Sequence, residues 1–135
     1  MERTYIMLKP DCVKRGHMGE VITRIERKGY KITAMKMMTL SEEIIKEHYA
    51  HILDKPYFPL TFELMTSGPV VAMIVEGENA IQGMRNLMGP TVNNDAMGGT
   101  IRGDFAQSNS WNVIHGSDSP ENAEIEIKRF FGEDA

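Results

Sequence analysis

The stretch NVIHGSDSPENAE, residues 112–124, sets a histidine at the end of an apolar run, then Gly-Ser-Asp-Ser, then a helix start. A neutral imidazole carries a proton on one nitrogen and a lone pair on the other, so it can act as a nucleophile near neutral pH. His115 is therefore the first candidate for chemistry. Gly116 lets the backbone turn tightly and leaves the ring uncrowded. Ser119 fits an N-cap and Pro120 the first helical position, where its missing N–H costs nothing. A helix N-terminus beside His115 would favour anions, phosphate above all. On a helical wheel Ala123, Ile127, Phe130 and Phe131 make one apolar face, and Glu126 lies on its flank. A carboxylate there is partly desolvated and needs a partner. If it accepts one N–H of His115, it fixes the tautomer and aims the ring. A carboxylate alone also favours the inert imidazolium. The chemistry therefore requires nearby cations, which would hold phosphate as well.

No G-x-x-x-x-G-K-[ST] and no G-x-G-x-x-G occurs, so side chains rather than a glycine-rich loop must hold any phosphate. Lys9 stands at a strand end, Arg85 on a helix before a long loop, and Arg102 at that loop's far end in TIRGDF. Tyr57-Phe58-Pro59 offers either a helix-start packing contact or a platform for a planar base. His48 and His51 lie on or near one helix face, but no third ligand has matching spacing, so no metal site is expected. His17 sits in a glycine-flanked turn. Cys12 is the one cysteine; it has no partner for a disulfide or a metal and reads as a small residue near a strand end.

The elements that must position these residues follow from periodicity. Residues 3–9, 30–40, 69–77 and 111–115 read as strands, the third being the most apolar and hence central. Helices are expected over 18–29, 41–53, 57–68, 78–89 and 119–131. Residues 90–110 form a long turn-rich loop, a length that usually marks function or assembly. The order leaves a split β-α-β-β-α-β pattern once the extra helices are removed.

Composition sets the frame. The 135 residues fit one domain. A net charge of −4 gives no overall basic field for nucleic acid or anionic membrane. No apolar run approaches the ~20 residues of a membrane span, and the N-terminus lacks a signal-peptide core. With one cysteine, a cytoplasmic location is expected. The eleven methionines are expected to fill core gaps.

Together these segments resemble the nucleoside diphosphate kinase family, from Glu2 to about Phe131. NVIHGSDS matches the family's N-x-x-H-G-S-D-S. KPD (9–11), RIERKGYKI, EHYAHILDKPYF, SGPVVAMIVEG and GTIRGDF match in the same order. The resemblance implies an α+β, ferredoxin-like fold: a four-stranded antiparallel sheet with helices packed on it, one domain over 1–135. It implies transfer of the γ-phosphate of a nucleoside triphosphate, typically ATP, to a nucleoside diphosphate. The route would be ping-pong through a phosphohistidine, with broad base specificity. Position by position, His115 is the nucleophile, and Glu126 and Ser117 orient its ring. Lys9, Arg85, Arg102 and Thr91 hold phosphates, and Tyr49 supports that cluster. Phe58 stacks on the base and Asn112 bonds the ribose hydroxyl. Mg²⁺ would arrive on the nucleotide phosphates, without dedicated protein ligands. A homo-oligomer is expected. The competing reading is a non-enzymatic regulatory or nucleic-acid-binding homologue, which the net charge and the missing RNP aromatic signature oppose. Where the family's long loop often reads TNPADAAPGT, this chain has TVNNDAMGGT. Asn93 and Gly98 replace two prolines, so the loop should be looser. With the end at FFGEDA, this should weaken assembly without touching the catalytic set.

Overall fold

Alternation along the first strand decides the layering. In the computed structural model, which describes residues 1–135, β1 runs Glu2–Leu8. Ile6 and Leu8 point into one apolar cluster, Tyr5 and Met7 into another. A strand feeding two cores must be covered on both faces. β3 (Val70–Gly77) is likewise buried along nearly its whole length. β2 (Lys31–Met38) lies at one edge and β4 (Ile114–Gly116) at the other. The order is β2-β3-β1-β4 with every neighbouring pair antiparallel. This is the expected α+β sheet.

Seven helices cover it: α1 (Pro10–Lys14), α2 (Met18–Arg27), α3 (Glu42–His48), α4 (Phe58–Met65), α5 (Ala80–Met88), α6 (Ile101–Phe105) and α7 (Pro120–Phe131). Cys12, Val21, Ile25, Met84, Met88 and Ile101 from α1, α2, α5 and α6 pack on the Ile6 face. Ile45, Met65, Ile127 and Phe130 from α3, α4 and α7 pack on the Tyr5 face. No helix is long and apolar enough to cross a membrane.

Two short helices depart from the expectation. Pro10 does not merely stop β1; it opens α1 at a position that needs no N–H. The long loop contains α6, capped by Thr100, whose Oγ accepts the Gly103 N–H at 3.0 Å. The last strand is shorter than expected. Val113 has φ +63°, and the Ile114 N–H bonds back to the Asn112 carbonyl at 2.8 Å, a tight three-residue turn. A buried β-branched residue at positive φ is strained. It is held there by the Lys9 N–H on its carbonyl at 2.8 Å and by Asp11 Oδ2 accepting its N–H at 3.1 Å. The methionines divide: Met7, Met65, Met73, Met84 and Met88 fill the core, while Met35, Met37 and Met97 are exposed.

α6 is seated closely. A Cβ on Gly103 would stand 1.9 Å from the Met97 carbonyl oxygen, which is backbone and cannot swing aside. Gly103→Ala should therefore lower stability by about 1–3 kcal/mol and displace the helix that carries Arg102. Thermal unfolding checks this; an unchanged Tm contradicts it.

Candidate active site

β4 pairs with β1 so that His115 faces Met7 and Ile114 faces Leu8. This register puts the His115 side chain on the Tyr5 face of the sheet, beneath α3 and α7. His115 Nε2 lies 3.1 Å from Glu126 Oε1 on α7. The same oxygen accepts the Ser117 hydroxyl at 2.6 Å, and Ser117 Oγ accepts the Tyr5 backbone N–H at 3.3 Å. Glu126 therefore takes the proton at Nε2 and leaves Nδ1 bare. Burial alone raises the Glu126 carboxyl. The hydrogen bond from His115, together with the Ser117 hydroxyl, pulls it below its ordinary value. The carboxylate stays ionised and the ring stays aimed.

His115, Arg85, Thr91, Arg102 and Glu126 line one cavity of about 630 Å³. Lys9, Tyr49, Thr91 and Asn112 line an adjoining one of about 240 Å³. The two share Thr91, so the residues expected to hold phosphate and ribose converge on one side of the molecule. A larger cavity of about 800 Å³ lies along α5 and holds none of these expected site residues.

Two of the cations are fixed by hydrogen bonds, Lys9 by a side-chain amide and Arg102 by backbone carbonyls. Lys9 Nζ donates to Asn112 Oδ1 at 2.7 Å, and Asn112 Nδ2 donates to the Asn109 carbonyl at 2.7 Å. Burial first, then the nearby Arg102 charge, push Lys9 down to about 8, with Asp11 acting against them. Arg102 is buried and donates to the carbonyls of Gly89, Asn112 and Ile114. It thereby ties the start of the long loop to the strained turn. Burial and Arg85 lower its guanidinium to about 10. Tyr49 keeps a buried hydroxyl with no partner, and burial raises its phenol.

Three features add to the sequence reading. Phe58, the first residue of α4, is half-buried and packs toward Phe62 and the Tyr5-side core. Tyr57, one residue earlier and half-exposed, lines the smaller cavity. The α7 N-terminus is capped as expected, with Ser119 Oγ accepting the Asn122 N–H at 3.1 Å and Asp118 bonded to Asn122. Finally, His48 is no solitary helix histidine. Its ring lies 4.7 Å from the His115 ring at 79°, and its Nδ1 accepts Arg129 Nη1 at 2.8 Å. Burial above all pushes it down to about 3. Its spacing from His115 in the chain gave no signal of this contact.

His48, His115 and Glu126 offer three ligating atoms within 4.8 Å of one another. Arg129 on His48 and the Glu126–His115 bond oppose a dication there. Chemically, a bare imidazole nitrogen in one cavity with Arg85 and Arg102, with Lys9 lining the adjoining one, suits a protein that moves phosphoryl groups.

The comparisons agree with that class. The family model for nucleoside diphosphate kinase matches residues 2–135. The chain is 56% identical over 133 residues to the nucleoside diphosphate kinase of Symbiobacterium thermophilum, covering 98% of this chain and 89% of the relative. It is 54% identical over 134 residues to that of Archaeoglobus fulgidus, with 99% and 89% covered. Among solved structures, the apo nucleoside diphosphate kinase of Encephalitozoon cuniculi superposes with a TM-score of 0.96 at 45% identity, covering 99% of this chain and 91% of that one. The Halobacterium salinarum enzyme, solved with CDP, superposes at 0.94 and 47% identity, with 98% and 89% covered. The chain belongs to the nucleoside diphosphate kinase family, and it is an enzyme of that activity.

Proposed function

We propose that this chain, acting as one domain, moves the γ-phosphoryl of a nucleoside triphosphate such as ATP to a nucleoside diphosphate through a phosphohistidine at His115. The Nδ1 lone pair forms an N–P bond to the γ-phosphorus as the bridging P–O bond breaks, and the diphosphate leaves with that electron pair. An acceptor diphosphate then enters the same cavity. Its terminal oxygen bonds the phosphorus, the N–P bond breaks, and the pair returns to Nδ1. One site serving donor and acceptor in turn is a ping-pong scheme. The observation that carries the reading is the 3.1 Å contact of Nε2 with Glu126, which frees Nδ1 among arginines.

Glu126 and Ser117 orient the ring. Lys9, Arg85, Arg102 and Thr91 hold phosphates, and Tyr49 packs beside Lys9. Asn112 has a second lone pair on Oδ1 for a ribose hydroxyl while it holds Lys9. Phe58, with the half-exposed Tyr57 beside it, offers a base its ring face, and a π-face accepts any base, so base specificity is broad. Around the cavity, Glu126 is tied to His115 and Glu47 faces Arg129. Asp118 is the carboxylate left to hold a metal-bound water. This donor set fits Mg²⁺ carried on phosphate oxygens, where it would shield their charge. The protein works in the cytoplasm as a homo-oligomer. Incubation with γ-labelled ATP should yield an acid-labile, alkali-stable protein label that unlabelled diphosphate removes; no label overturns the scheme.

Lys9 adds a pH dependence. In the free enzyme it loses its proton as pH rises through about 8, and bound phosphate favours the charged form. kcat/KM should therefore fall about tenfold per pH unit on the alkaline limb, while kcat at saturation changes less. A profile flat to about pH 9.5 contradicts this.

A further inference from the structure

Beyond the residues given roles above, one buried group touches the nucleophile and has no assigned work: His48. Its ring is 6% exposed and sits edge-on to His115, Tyr49 and Phe130. It nonetheless lines the same cavity as Arg85 and Arg102. Phenylalanine or leucine would fill that space without a desolvation cost, so the polar ring asks for a polar reason.

Arg129 supplies half of the answer. A guanidinium has donors only and stays charged. The 2.8 Å contact therefore makes His48 Nδ1 an acceptor, and a neutral ring must carry its proton on Nε2. Arg129 is itself held: it lines the cavity, and its Nε stands 3.4 Å from Glu47 on α3. Nε2–H is then the donor His48 has left to offer. A ring nitrogen of His48 lies within 4.8 Å of the ligating atoms of His115 and Glu126, and the two rings are 4.7 Å apart on the wall of one cavity, so a group carried by His115 there would be a neighbour of the His48 ring.

We propose that His48 donates its Nε2–H to an oxygen of the phosphoryl group as His115 takes it up, and that Arg129 is the positioning residue that keeps the proton on that nitrogen. With the opposite tautomer, His48 would present a lone pair to an anion and repel it. The proposal rests on the reading of His115 as the nucleophile.

Amide variants separate donor from packing. Glutamine carries its amide nitrogen to about the place of a histidine Nε2, whereas asparagine reaches only to that of Nδ1. The full chain is first labelled with γ-labelled ATP in single turnover; no label at all would overturn the His115 reading instead of this one. Given labelling, His48→Gln should form phosphoenzyme within about threefold of the unmodified rate, and His48→Asn should slow it about 10- to 100-fold, the worth of a hydrogen bond to a charged group. Asparagine as fast as the unmodified chain, or glutamine as slow as asparagine, overturns the donor role. Arg129→Leu tests the positioning by ¹⁵N NMR. In the unmodified chain His48 should show a bare Nδ1 and a protonated Nε2. In the variant both signals should move toward averaged values; an unchanged pattern overturns the role of Arg129.

Discussion

His115→Ala loses the protein label entirely, and steady-state transfer falls by on the order of 10⁴ or more, since removing a covalent nucleophile leaves only binding and charge. The variant should still bind a nucleoside diphosphate, because Lys9 is held by the Asn112 amide and Arg102 by backbone carbonyls, neither by the imidazole. Its fold should survive as well: the His115 side chain is one-quarter exposed and makes one hydrogen bond, to Glu126. Glu126 keeps its Ser117 partner at 2.6 Å. A loss of transfer together with retained diphosphate binding and a folded chain is the expected pattern. Persistent label would move the nucleophile elsewhere.

Arg102→Met costs both stability and activity. The guanidinium satisfies carbonyls of three residues, and each oxygen left unpaired in a buried site costs about 1–3 kcal/mol. A loss of roughly 3 kcal/mol or more is expected by denaturant titration. The same change takes a cation from the cavity and loosens the turn that presents Asn112. kcat/KM should drop about 10²- to 10³-fold. Arg102→Lys should not restore it, because an ammonium is a point charge without the guanidinium's fork. If lysine recovers both readouts, the three-carbonyl bridge is not what Arg102 contributes.

What could be read from the chain beforehand was whatever leaves a period or a register. β1 and β3 alternate or run apolar, and α7 carries a wheel that places Glu126 on the flank of its buried face; both are visible in the linear pattern. The unread parts lack such a signature. α1 and α6 are five residues each, too short for a helical period. Val113 is a β-branched residue, which by composition belongs to a strand; its positive φ follows from bonds to Lys9 and Asp11, about a hundred residues away. Tyr57 and Phe58 are adjacent aromatics, and only the start of α4 decides how far each is buried. His48 and Arg129 lie 81 positions apart, and nothing in either neighbourhood announces their contact. Arg102 was found as a charge, but its bridging of three carbonyls depends on tertiary closure.

The Ser117 hydroxyl joins Glu126 to the backbone of Tyr5, which lies 112 positions before Ser117 in the chain. The groups that aim the ring thus come from the opening strand and the closing helix. A nascent polypeptide held on the ribosome cannot assemble them until residues beyond Glu126 have cleared the exit tunnel. In refolding, phosphoryl-transfer competence should emerge in step with the slowest long-range closure and never ahead of it.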